Sequence, residues 1–142
     1  MLKLYIVNAI VIATAVFIHY EGLLQLSRLL PRMHHVGYRL RIVTGVIGAM
    51  VAHTLEVWMF GIVYFAMVHA QGFGTIKGVE NLQLMDCVYF SFITYTFLGY
   101  GDLIPEGGLR FLAGLEALTG LVFIAWTASF LFYEMERYWK NG

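Results

Sequence analysis

Apolar residues dominate three long stretches of this chain, residues 4–27, 42–69 and 109–133, separated by two polar intervals. Each stretch exceeds the roughly 20 residues that a helix needs to cross a bilayer, so three transmembrane helices are expected. The interval at 70–108 is not uniformly polar. Gly72, Gly74 and Gly78 predict an irregular loop. Asp86 is then a suitable N-cap for a short aromatic helix over 87–96. At about 1.5 Å per residue such a helix is roughly 15 Å long and descends half a membrane. Residues 97–102, with Gly99 and Gly101, are expected to return extended and non-helical. At membrane depth such backbone survives only when buried in protein or lining a water-filled path.

Composition agrees with the pattern. The 142 residues are 60% hydrophobic and 13% charged, about half the charge of an ordinary soluble domain. The chain is therefore read as one all-α membrane domain. A formal net charge of zero leaves no nucleic-acid footprint. Cys87 is the single cysteine, which excludes an internal disulfide, and it is expected to pack as a small apolar residue. The first apolar run is read as a retained helix, because His19-Tyr20-Glu21 is a poor cleavage context for a secretory signal.

Positive charge sets the expected orientation. The loop after the first span carries Arg28, Arg32, Arg39 and Arg41 with no acidic residue, so it is assigned to the cytoplasm. The N-terminus and residues 70–108 then lie outside. The C-terminal tail, with Arg137 and Lys140, lies inside, and Tyr133, Tyr138 and Trp139 suit the interfacial belt. No span carries a regular arginine run, so no voltage sensor of the usual kind is expected.

The stretch Thr96-Phe97-Leu98-Gly99-Tyr100-Gly101-Asp102 is the most informative. With Tyr89-Phe90-Ser91-Phe92-Ile93-Thr94-Tyr95 before it and Leu103-Ile104-Pro105 after it, the segment resembles the pore helix and selectivity filter of the two-helix-pore potassium channel superfamily. The resemblance implies an N-terminal helix with a basic loop (1–40) followed by a pore domain (41–142). That domain divides into an outer helix 41–69, a turret and re-entrant pore helix 70–96, a filter 97–102 and an inner helix 108–135. It implies a homotetramer in lipid, in the bacterial inner membrane, passing K⁺ passively, with no catalytic residues and no cofactor beyond the permeant ion. Carbonyls of Phe97, Leu98, Gly99 and Tyr100 would bind the ion. Phe97 departs from the family, which carries threonine there and uses its hydroxyl at the innermost site. Thr96 is the nearest compensating hydroxyl. Behind the filter, Tyr89 is expected to bond Asp102, and Thr94 to bond the Tyr100 hydroxyl. Gly114 and Gly120 fall near where inner helices of the family bend, and glycine in a membrane helix is more often a close-packing residue than a hinge.

Ionisable residues inside the spans are the other unusual feature. His53 and Glu56 share one face of the second helix, and His19 and Glu21 lie at overlapping depth on the first. Glu116 sits in the outer half of the third. Three roles are open: a neutral hydrogen-bonded packing cluster, a pH-sensing or gating group, or a metal site. The rival functions are a weakly selective cation channel, a non-conducting accessory subunit, and a membrane metal- or haem-binding protein using these histidines and glutamates.

Overall fold

The computed structural model describes residues 2–70 and 72–139, apart from the side chain of Tyr138. Lys140 and the Tyr138 side chain, both used in the orientation argument, lie outside the described residues. Four helices run in order: α1 Leu2–Arg32, α2 Tyr38–His69, α3 Leu84–Tyr95 and α4 Leu109–Trp139. α1, α2 and α4 are each long and apolar enough to cross a membrane. The protein is an all-α membrane protein.

All three long helices outrun their apolar stretches. Hydropathy reports the thickness of hydrocarbon to be crossed, whereas a helix continues through any good helix former. Thus Arg28 and Arg32 extend α1, and Glu134, Glu136 and Arg137 extend α4. α1 ends one residue after Pro31, which lacks the N–H that would bond the Ser27 carbonyl and so weakens this last turn.

α3 begins three residues earlier than expected. Its N-cap is Gln83, not Asp86. Asp86 instead takes the third helical position of a capping box and accepts from the Gln83 backbone N–H at 2.8 Å. Its 12 residues make a helix about 18 Å long, still too short to cross.

Two close approaches seat α3. A Cβ on Gly61 of α2 would lie 2.8 Å from Val88 Cα, so only glycine lets the backbones meet there. A Cβ on Gly120 of α4 would lie 2.3 Å from the Tyr95 carbonyl oxygen. α3 is thereby held between α2 and α4 over a core that includes Val57, Phe60, Tyr64, Ile93, Tyr95, Leu112 and Phe123. α1 packs along α2 and also reaches α4. A smaller cluster of Leu23, Leu26 and Ala49, with Phe130 and Leu131 against it, closes the far end.

The loops on either side of α3 are tied together. β1 (Ile76–Lys77) pairs antiparallel with β2 (Ile104–Pro105), Ile76 opposite Pro105. Lys77 Nζ and Glu106 Oε1 lie 2.8 Å apart. Gly78 has φ 121°, and a Cβ there would fall 2.0 Å from the Asp102 carbonyl. The irregular glycine-rich loop is thus a brace for the segment following residue 101.

Candidate functional site

α3 ends at Tyr95 with Thr96 as its C-cap, and the loop beyond it carries the candidate residues. Thr96 Oγ1 donates to the Phe92 carbonyl at 2.6 Å, and the Phe97 N–H donates to the Thr94 carbonyl at 3.2 Å. The Gly99 N–H reaches back to the Ile93 carbonyl at 3.0 Å. These bonds fold the start of the loop against the end of α3. Phe97, Gly99 and Gly101 have φ of 61°, 52° and 80°, while Leu98 and Tyr100 between them have negative φ. Positive φ at every second residue excludes both a regular helix and a regular strand here. Glycine adopts positive φ freely; at Phe97 the left-handed conformation costs about 1–2 kcal/mol.

Phe97, Leu98 and Tyr100 are all more than half exposed. With Tyr89, Phe92 and Thr96, Leu98 and Tyr100 border an open apolar groove beside α3. At the outer end, the Tyr89 hydroxyl donates to Asp102 Oδ2 at 2.9 Å. That bond, ahead of any burial, raises the Tyr89 phenol above its ordinary pKa. The expected bond from Thr94 to the Tyr100 hydroxyl is not formed among the described residues of one chain. Thr94 is half-buried, and Tyr100 points away from the fold, 67% exposed.

Behind α3 lie two buried carboxylates. Glu56 Oε1 accepts from His19 Nδ1 at 2.8 Å, and its Oε2 accepts from the Tyr95 hydroxyl and stands 3.2 Å from His53 Nδ1. His53 Nδ1 is also 2.8 Å from the Tyr95 hydroxyl. With its Nδ1 proton directed at Glu56, His19 can accept at Nε2 from Thr127 Oγ1, 3.4 Å away, and its ring stacks on Phe123 at 4.2 Å. Glu116 accepts from the Tyr64 hydroxyl at 2.5 Å and from Ser91, whose Oγ also lies 2.9 Å from the Val57 carbonyl. Both carboxylates are fully buried and hydrogen-bonded, which is what makes burial of such groups tolerable.

The structure therefore brings His19, His53 and Glu56 together across α1 and α2, but not Glu21. Glu21 is half-buried and belongs to no bonded cluster among the described residues. It lies two residues from His19, and residues two apart do not share a helix face. Gly120 is a close-packing residue under the Tyr95 carbonyl. The sequence argument missed Ser91, Tyr95, Tyr64 and Thr127 as members of this network. A partial signal existed: Ser91 and Tyr95 are four apart, on one face of α3, and both carry hydroxyls. One ligand atom each from His19, His53 and Glu56 lies within 4.8 Å of the others, so these three could hold a metal ion; each is paired within the chain.

α2 and α4 thus flank a half-length helix and a loop of alternating backbone hand, with polar groups from three long helices behind it. No curated protein matches the chain. Residues 41–137, from the start of α2 through nearly all of α4, match the family model described as an ion channel, and the protein belongs to that ion-channel family.

Proposed function

We propose that four copies of the chain close around their 97–101 loops to form a potassium-selective pore. The alternation of φ sign from Phe97 to Gly101 carries this reading, because backbone of that kind can turn consecutive carbonyls toward one axis as replacements for an ion's water shell. Exposure of Leu98 and Tyr100 beside the apolar groove on α3 supports assembly, since these surfaces have no cover within one chain. The C-terminal end of α3, with its partial negative charge, favours a cation beneath the loop. K⁺ is cargo here, and no resident cofactor is invoked.

In this reading the 33–37 turn, flanked by Arg28, Arg32, Arg39 and Arg41, and the C-terminus are cytoplasmic, the N-terminus and the 70–108 segment are external, and the membrane is the bacterial inner membrane. The His19–His53–Glu56–Tyr95 network holds the end of α3 and so acts on the pore as a gating element. One observation favours a second reading, a weakly selective cation pore. Phe97 offers no side-chain oxygen to the innermost ion position. Flux into liposomes under K⁺ or Na⁺ gradients separates the two. Potassium flux well above sodium flux is expected, and its loss in Gly99→Ala and Gly101→Ala. Equal flux of both ions supports the second reading, and wild-type flux in both glycine variants would put the ion path elsewhere.

A further inference from the structure

On the far side of the molecule from the candidate filter, α1 and α2 border an open groove of about 500 Å³. The helices touch closely along it. A Cβ on Gly22 would be 3.0 Å from that of Ala52, and one on Gly48 would be 2.3 Å from Leu26 Cδ2. Leu29, Val51 and Leu55 form its exposed apolar walls. Arg28 and Arg32, one helical turn apart and both exposed, stand at one end. They belong to a run from 28 to 41 that contains four arginines and no acidic residue.

The dimensions of the groove are those of a lipid. Gly22 and Arg32 are ten residues apart on α1, about 15 Å along the axis. That is half of the roughly 30 Å hydrocarbon core. With the arginines at the membrane boundary, the apolar groove runs to the mid-plane, which is the reach of one acyl chain. A free phosphate would leave the apolar walls unused, and a zwitterionic lipid would bring an amine against the arginines.

We infer that this groove binds one anionic phospholipid per chain, with the phosphate on Arg28 and Arg32 and an acyl chain along Val51 and Leu55. The site is independent of the ion that the pore passes. Each arginine is expected to contribute about fivefold to affinity.

The test is native mass spectrometry of the full chain in detergent, titrated with phosphatidylglycerol or with phosphatidylcholine of matched chains. The expected result is one tightly held phosphatidylglycerol per chain and clearly weaker phosphatidylcholine. Arg28→Gln with Arg32→Gln should weaken phosphatidylglycerol by about 25-fold, as the product of two such contributions. Val51→Trp, filling an exposed wall, should weaken both lipids with the arginines intact. Excess inorganic phosphate should not displace the lipid. Equal binding of the two lipids by the wild-type chain would overturn the proposal without recourse to any variant. So would wild-type affinity in either variant, or displacement by inorganic phosphate, which would mark a simple anion site.

Discussion

Gly120 and Gly114 both lie on α4 where the family resemblance suggests a bend, yet the structure gives them different duties. A Cβ on Gly120 would fall 2.3 Å from the Tyr95 carbonyl oxygen and 3.1 Å from the Tyr95 ring, whereas a Cβ on Gly114 meets nothing within 4 Å. Ordinary contact begins at 3.4 Å, so Gly120→Ala must push α4 and the end of α3 apart by about 1 Å. The obstacle is backbone carbonyl, which cannot rotate aside as a side-chain tip can. Such overpacking costs about 1–3 kcal/mol. Both alanines gain about 1 kcal/mol of helix propensity, which cancels when the two variants are compared. Gly120→Ala is therefore expected to be less stable than Gly114→Ala by about 1–3 kcal/mol, and its K⁺ flux to fall because the segment displaced leads directly into the 97–101 loop. Thermal unfolding of the purified protein in detergent, paired with liposome flux, reads both effects. Equal stability and equal flux in the two variants would refute the close-packing argument and restore the bend as the reason for Gly120.

Three further outcomes are expected. Tyr95→Phe removes one hydrogen bond from the buried Glu56 carboxylate and should cost about 1.5–3 kcal/mol in thermal or denaturant unfolding; unchanged stability would mean that His19 and His53 suffice to hold Glu56. His53→Gln should change potassium flux into liposomes, because it disturbs the contacts that the His53 ring makes with Glu56 and the Tyr95 hydroxyl behind the loop; unaltered flux in the variant would leave the network as structural only. Phe97→Thr places a hydroxyl at the cavity end of the candidate filter and should raise conductance in single-channel recordings, whereas an unchanged conductance would show that the innermost position does not limit flux.

The sequence by itself determined the architecture. Three apolar stretches of sufficient length dictate three crossings, because a bilayer leaves a backbone few ways to satisfy its hydrogen bonds. Glycine at 99 and 101, after a helix too short to cross, was enough to locate the irregular loop. The Tyr89–Asp102 contact was also legible, since both residues lie in one continuous motif. Helix ends were less so: hydropathy marked the membrane thickness and not the last helical residue, and Gln83 displaced Asp86 as the cap of α3.

Only the tertiary structure decided what lies behind the loop. His19, Glu56, Tyr95 and Thr127 come from four different helices, and no spacing within one helix can announce a contact made between helices. The partners expected behind the filter, Tyr89 and Thr94, both came from α3 itself. Folding brings two carboxylates to the hydroxyls of Ser91 and Tyr95 from α2 and α4. Likewise the duty of Gly120 follows from what stands opposite it, the Tyr95 carbonyl, and the exclusion of Glu21 from the direction its helix face takes. Local pattern fixes which elements form, but the pairing of buried polar groups is a property of how those elements meet.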